Sequence, residues 1–338
     1  MAITIKDIAK RANVSTATVS RVINGIGGYG SDTRNRVLAA AQELGYYKNE
    51  TATSLVTNKT KTIGIIIPNV STSFYGNIVT GIEDVAYDFG YSVILTHAGV
   101  EGNRLFDSLK LMVNRRVDGI IIVSIYLNKE QQQMIRKLGV PTILLSTISE
   151  GNRLPYIKVD DYAASYHATQ YLVNQGHQKI GLAGVNQNDQ VAGQPRLAGY
   201  RDCLEKNQIL RDEALIFFGD FSFDAGKRAM DYYMTHELPT ALVCASDDTA
   251  LGIISMAHQY KILVPEQLSV IGYDDTSVAW MTTPPLTTIA QPFYEMGALG
   301  CKRLIESVTT NQEIRSEIIP FELMERQTVL QRSNNPKS

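Results

Sequence analysis

From Thr62 onward the chain alternates short apolar runs with amphipathic stretches of helical period, and this alternation constrains the fold more than any other feature. Apolar runs at 63–68, 92–96, 119–124, 142–146, 179–184, 215–219, 241–244 and 269–273 read as strands. The stretches between them, such as 74–89, 105–115, 162–175 and 196–207, carry apolar residues at helical spacing. Continuously apolar strands suit parallel sheets covered on both faces, and parallel strands need a crossover helix between them. The class is therefore α/β. The strands are too many for one small doubly wound sheet, so two α/β lobes are expected. Ligands of such sheets sit beyond the carboxyl ends of the strands.

Residues 4–45 break this pattern and predict three short helices. Thr4 can cap a helix over 5–12, where Ile5, Ile8, Ala9 and Ala12 recur at helical spacing. Asn13 and Val14 interrupt it, and Ser15 caps a second helix over 16–24 that buries Val19, Val22 and Ile23. Gly25 stops that helix, and a third, from Ser31, turns Val37, Leu38, Ala41 and Leu44 inward. Two short helices joined by a tight turn and braced by a third make a helix-turn-helix, although periodicity alone also fits a plain three-helix bundle. The second helix exposes Thr16, Ala17, Thr18, Ser20 and Arg21. Small side chains let a helix enter a major groove, and one guanidinium can fork onto guanine. Gly25, Gly27 and Gly30 spell GxGxxG, but a helix rather than a strand leads into them, so they read as a turn and not as a dinucleotide site.

Residues 46–61, YYKNETATSLVTNKTK, form the boundary. Asn49 can cap a helix over 50–56, too short to stand alone in water. Charge divides the chain at the same place. Residues 1–61 hold nine Lys and Arg against four acids, whereas the remainder holds twenty-three against thirty. A basic end on an acidic body is expected where one module meets a polyanion. With 44% hydrophobic and 20% charged residues the chain is not a disordered one. No run approaches the ~18 apolar residues of a membrane span. The opening MAITIKDIAKRA lacks the apolar segment of a signal peptide, and Cys203, Cys244 and Cys301 form no CxxC pair. These features predict a cytoplasmic protein with no membrane association, no disulfide frame, no metal site and no cofactor.

The segment TIKDIAKRANVSTATVSRVING, followed by TRNRVLAAAQELGY, closely resembles the DNA-binding head of the LacI/GalR family of bacterial repressors. The resemblance runs through the body nearly to Arg332, on TIGIIIPNVSTSFYGNIVTGIEDVA, RRVDGIII, QGHQKIGLAG, PRLAGY, PTALVCASDDTALG, VPEQLSVIGYDD and PPLTTIAQP. It implies a small all-α helix-turn-helix head (1–47), a hinge helix and linker (48–61), and a two-lobe periplasmic-binding-protein-like body (62–338). The first lobe would take 62–160 and about 292–322, the second 161–289 and 323–332. Thr16, Ala17 and Arg21 would face base edges, with Thr4, Ser15, Thr18, Ser20, Asn24 and Asn49 at the backbone or the approach of the helix. Leu55 would wedge into the minor groove. The chain departs from the family where Lys48 replaces a usual Pro and Thr53 a usual Arg.

The resemblance also implies an effector in the cleft, a sugar or sugar phosphate, held by Ser71, Phe74, Ser124, Ser146, Arg196, Phe221, Ser246, Asp274 and Gln291. Arg196 and Asp274 would act as a charged pair gripping vicinal hydroxyls, with Phe221 as the stacking wall. Ser146 stands where Asp is frequent and Ser246 where Asn is. A strand-end Ser is also an ordinary helix cap, and Asp274 or Asp275 an ordinary turn former. A homodimer is implied, pairing near 74–84 and 249–259, on a pseudo-palindromic operator of double-stranded DNA. GIEDVA, ISEGNRLP, GDFSFDAG and QPFYEMGALGCKRL are most similar to the catabolite-control branch of the family, whose co-repressor is serine-phosphorylated HPr. Asp84, the helix near 294–303 and Lys302, in place of a phosphoserine-seating Arg with Arg303 beside it, would then matter.

Other classes fit less well. The acidic pairs Asp247/Asp248 and Asp274/Asp275 would suit a sugar-processing enzyme, but carboxylates adjacent in sequence rarely face one substrate as acid and base. GxSxG, HExxH and a Walker loop are all missing, and His97, His167, His177, His236 and His258 show no ligand spacing. His177, in a Gly-His turn before a strand, reads as structural. A transport binding protein would share the body but not the attached helix-turn-helix.

Overall fold

The computed structural model describes residues 3–46, 59–68, 74–99 and 102–332. Asn49 and Leu55, the helix expected over 50–56, and Ser71 lie outside the described residues. The chain divides into two compact units, Met1–Thr60 and Lys61–Ser338.

The first unit is built on α1 (Ile5–Ala12), α2 (Thr16–Asn24) and α3 (Ser31–Glu43). The carboxylate of Asp7 accepts from the backbone N–H and the hydroxyl of Thr4, closing the start of α1. Asn13 ends α1 in the left-handed conformation, and Ser15 Oγ accepts from Thr18 N–H at 3.0 Å to cap α2, so only a short turn separates the two helices. Gly25 ends α2 at φ 67°. Ile8, Ala9, Ala12, Val19, Val22, Val37 and Ala40 form the core. Leu38, expected inward, is 41% exposed. The inward stripe of α3 runs Val37, Ala40, Ala41 and Leu44, and Leu38 lies one step of about 100° off it.

The second unit begins with β1 (Thr62–Ile67), α4 (Tyr75–Asp88), β2 (Ser92–His97), α5 (Leu105–Asn114), β3 (Gly119–Val123), α6 (Lys129–Leu138), β4 (Thr142–Leu145) and β5 (Tyr156–Lys158). It continues with α7 (Asp161–Asn174), β6 (Ile180–Val185), α8 (Gly193–Lys206), β7 (Ile216–Phe218), α9 (Phe223–Thr235), β8 (Ala241–Cys244), α10 (Asp247–Gln259), β9 (Ser269–Asp274), α11 (Ser277–Met281) and β10 (Thr287–Ala290). α12 (Phe293–Thr310), β11 (Glu317–Ile318) and β12 (Glu322–Met324) complete it. Two six-stranded sheets result, ordered β11-β5-β4-β3-β1-β2 and β12-β10-β9-β8-β6-β7. Apart from the final strand they repeat one topology, each with its switch in strand order beside its first strand. All pairings are parallel except β10 with β12, an antiparallel edge that strand periodicity did not predict.

The inner strands of each sheet are buried on both faces, which is why they read as unbroken apolar runs. In the first sheet Ile63, Ile65, Ile121, Val123 and Ile143 face one core and Ile66, Ile120, Ile122 and Leu144 the other. α8 starts at Gly193, ahead of the position expected after Pro195, because a first-turn proline forfeits no helical hydrogen bond. His177 is buried, with Nε2 bonded to Leu330 O and Nδ1 to Thr240 Oγ1. Burial, helped by the Arg332 charge, pushes its pKa down to about 4. A carbonyl can only accept, so the neutral ring carries its proton on Nε2. Among the described residues no helix is long and apolar enough to cross a membrane.

Each lobe borrows a helix across a chain crossing: α12 follows β10 of the second sheet yet packs on α4 beside the first, whereas α7 follows β5 of the first sheet and packs on α8. The α4–α12 crossing requires glycine. A Cβ on Gly81 would lie 2.1 Å from Tyr294 O, and one on Gly297 2.1 Å from Ile78 O. Gly81→Ala gains up to ~1 kcal/mol of helix propensity but forces two backbones apart. The expected net loss is about 1–3 kcal/mol, read as a lower Tm; an unchanged melting curve would contradict this close packing. The depressed His177 pKa adds stability that is present above about pH 6.5 and lost as pH falls toward 4. Urea midpoints followed over that window should therefore fall more steeply for the native chain than for His177→Gln.

Candidate functional site

The strand carboxyl ends of both sheets open onto one cavity of about 550 Å³. Pro68, Ser124 and Ser146 follow β1, β3 and β4, while Asn186, Phe221, Ser246, Asp274 and Gln291 stand at the ends of β6 to β10. Of the nine candidate effector residues, all eight that are described line this cavity: Phe74, Ser124, Ser146, Arg196, Phe221, Ser246, Asp274 and Gln291. Four of them have positive φ, with Ser124 at 51°, Ser146 at 52°, Phe221 at 63° and Asp274 at 120°. Non-glycine residues avoid this region, at a cost of roughly 1–3 kcal/mol each, and such residues gather at ligand sites.

Arg196 is 7% exposed and sits on the first turns of α8. It pairs with Asp161 rather than with Asp274. Nε and Nη2 donate to Asp161 Oδ1 at 2.9 and 2.8 Å, and Nη1 donates to Ala245 O at 2.5 Å. The guanidinium lies 3.6 Å from the Tyr273 ring centroid and 5.8 Å from that of Phe221. Asp161 also accepts from Lys158 Nζ at 2.7 Å and from the Tyr273 hydroxyl at 3.2 Å. Burial opposes its charge, but the Arg196 and Lys158 cations outweigh burial and hold the carboxyl below its ordinary value. Arg196 and Asp274, expected to grip vicinal hydroxyls together, both line the cavity, and the carboxylate that holds Arg196 is Asp161, 35 residues upstream in the chain. Asp274 instead accepts from Gln291 Nε2 at 2.7 Å. Burial pushes its carboxyl well above the usual range despite Arg196 nearby, and Asp247 adds to the rise.

The other side chains divide into committed and open groups. Ser246 Oγ caps α10, accepting from Thr249 N–H at 3.0 Å and donating to Phe221 O at 2.6 Å, so its hydroxyl is largely spent inside the protein. Ser124 Oγ is buried with no partner, a polar atom left for something in the cavity to satisfy. Phe74, stacked on Phe293 at 4.8 Å, joins Tyr75 and Phe221 as aromatic wall. Sequence reasoning missed Tyr126, Gln131, Asn186, Asn188, Asp189 and Asp220. The polar run NQNDQ directly after the predicted strand 179–184 was the available signal, since it occupies a strand carboxyl end.

Of the acidic pairs, Asp247 and Asp275 are held in structural contacts. Asp247 is buried and accepts from Thr288 Oγ1 at 2.6 Å and from Thr276 N–H and Oγ1 at 2.7 and 3.0 Å; burial raises its carboxyl to about 7. Asp275 pairs with Arg326 at 2.5 Å. On α12, Arg303 is engaged by Glu317 and by Arg315 O, which leaves Lys302 as the exposed neighbouring cation, and Tyr294 donates to Asp84 at 2.9 Å.

In the head, Thr16, Ala17, Arg21 and Asn24 are exposed on α2, with Thr18 and Ser20 half-buried. Ser15 and Thr18 hydroxyls bond to each other at 2.9 Å, and Asn24 donates to Ser20 at 3.3 Å. Arg21 makes no ion pair among the described residues. Gly27 and Gly28, at φ 80° and 78°, form the turn between α2 and α3 that the GxGxxG spacing had imitated.

Comparison with known proteins agrees with this architecture. Residues 4–49 match the model for bacterial regulatory proteins of the lacI family, and residues 169–329 the periplasmic binding protein-like domain. Catabolite control protein A of Priestia megaterium is 33% identical over 94% of this chain and 96% of its own. The lac repressor dimer bound to operator and the anti-inducer ONPF superposes with a TM-score of 0.88 at 29% identity, covering 98% of this chain and all of that one. The regulator CelR in complex with cellobiose gives 0.73 at 29% identity, over 96% and 99% of the two chains. A helix-turn-helix head joined to two doubly wound lobes, with these likenesses over nearly the whole length, means that the chain is a DNA-binding transcriptional regulator and belongs to the lacI family of bacterial regulatory proteins.

Proposed function

We propose that this regulator is a dimeric, cytoplasmic repressor of carbohydrate-utilisation genes, whose affinity for a pseudo-palindromic operator is set by a sugar or sugar phosphate in the cleft. The observation that carries the reading is the convergence of eight candidate residues from both lobes on one cavity, in a chain whose other unit presents an exposed small-residue helix face. Arg196 and Gln291 offer donors, Asp274 a carboxyl, and Phe221 with Phe74 flat apolar faces, the combination that sugar hydroxyls and C–H faces require. The domain division at 47/48 and 61/62 and the hinge roles of Asn49 and Leu55 belong to the same proposal. A ligand bridging both lobes shifts the head only through its differential affinity for two arrangements of the body. The chain acts by binding, without a catalytic step; turnover of any glycoside would overturn that.

In the head, Thr16, Ala17 and Arg21 would read bases, while Thr4, Ser15, Thr18, Ser20 and Asn24 would hold phosphates or the helix approach. Lys302, exposed beside the engaged Arg303, keeps open a second reading, co-repression by serine-phosphorylated HPr. Lys supplies a point charge there without the fork of an arginine.

A thermal-shift screen of mono- and disaccharides, sugar phosphates, purines and serine-phosphorylated HPr separates these readings. Ligand at 100 times its Kd stabilises by roughly 2.7 kcal/mol. A response to the phosphoprotein alone would replace the sugar reading. Arg21→Ala should cost about 1–3 kcal/mol at one base pair and relax preference there; an unchanged half-site profile would remove Arg21 from the reading face. Arg196→Lys keeps the charge but loses the fork, so calorimetry should show effector affinity falling by roughly 10- to 100-fold, the worth of one or two charged hydrogen bonds. Undiminished affinity would take Arg196 out of the site.

A further inference from the structure

The cavity is rich in polar groups but poor in available positive charge. Among the described residues that line it, Arg196 is the only Lys, Arg or His, whereas Asp189, Asp220 and Asp274 all line it. The Arg196 guanidinium is already paired with Asp161, which it shares with the buried Lys158. Arg228, outside the lining, stands 3.7 Å from Asp220. Whether Asp274 is ionised or not, carboxylates here equal or outnumber cations. Residues 69–73, which precede α4, contribute no basic side chain to the sequence.

At three helix starts on the cavity the backbone donors that could replace a cation are likewise taken. Anions bind helix N-termini through free N–H groups. At the starts of α6, α10 and α8 those groups are taken up by the protein's own side chains. Asn128 accepts from Gln131 N–H at 2.9 Å at the start of α6, and Ser246 does the same for α10. Before α8, the Asp189 carboxylate accepts from Val191 and Gly193 N–H at 2.8 and 3.3 Å, placing a fixed negative charge where a phosphate would seat. What remains unsatisfied is neutral in its demands: the Ser124 hydroxyl and two guanidinium N–H bonds of Arg196, beside aromatic faces.

We infer that the effector is an uncharged mono- or disaccharide or a related polyol, and that its phosphorylated form is rejected. The inference rests on reading this cavity as the effector site. A phosphate monoester brings a charge of about −1.5 to −2, and burying it beside carboxylates without a free cation is unfavourable. An uncharged ring, by contrast, needs only acceptors for Arg196 and Ser124 and a flat wall.

The test pairs neutral sugars with charged derivatives on the full chain: glucose, ribose, maltose and cellobiose against glucose 6-phosphate, ribose 5-phosphate and glucosamine, by calorimetry and by release of operator DNA. At least one neutral sugar should bind, with its phosphate at least about 100-fold weaker. Asn188→Lys, which places a cation on the lining, should narrow the ratio between the two affinities about tenfold or more. Equal or tighter binding of a phosphate, binding of glucosamine alone, or an unchanged gap in Asn188→Lys would overturn the inference while leaving a sugar-type effector in place. Silence from every sugar, neutral and charged, would overturn both this inference and the sugar reading beneath it.

Discussion

Two buried cations share one carboxylate at the first crossing between the lobes, and this arrangement fixes the floor of the cleft. Lys158 ends β5 of the first lobe, Asp161 opens the helix that begins the second, and Arg196 reaches in from the helix packed beside it. Removing ions from water is costly, and a buried pair roughly breaks even against apolar packing. The network's contribution is geometric: it holds the guanidinium plane 3.6 Å over Tyr273 and turns its unused N–H bonds away from Asp161. Loss of Asp161 would leave two buried cations without their carboxylate, so the site and the junction of the lobes depend on the same contacts.

Much of this architecture could be read from residue order. The eight apolar runs became strands, the inner ones covered on both faces of their sheets, and the head's caps at Thr4 and Ser15 are local hydrogen bonds between near neighbours. What escaped were elements whose cause is distant. β5, β11 and β12 are two or three residues long and exist only because another strand lies alongside. Leu38 satisfies a helical period yet faces outward, since the width of the apolar stripe depends on what packs against it.

The candidate site was legible in its members but not in their pairing. Strand-end position brought eight residues to one cavity, because the rule behind it concerns topology alone. Partner choice is a matter of distance after folding: Arg196 found Asp161, Asp274 found Gln291, and Ser246 was spent on its own helix. The polar loop after β6 carried no motif, so Asn186 and Asp189 could be recognised only from their place at a strand end.

The borrowed helix has a consequence for how the chain is made. The first lobe lacks α12 and β11 until residues 293–318 have left the ribosome, although its first strand is synthesised near residue 62. Until then α4 presents the face around Gly81 to solvent, and β5 has an open edge. Folding domain by domain from the amino end, the usual course for growing chains, is closed to this body. A chain broken anywhere before the final strands forfeits the early lobe as well as the late one.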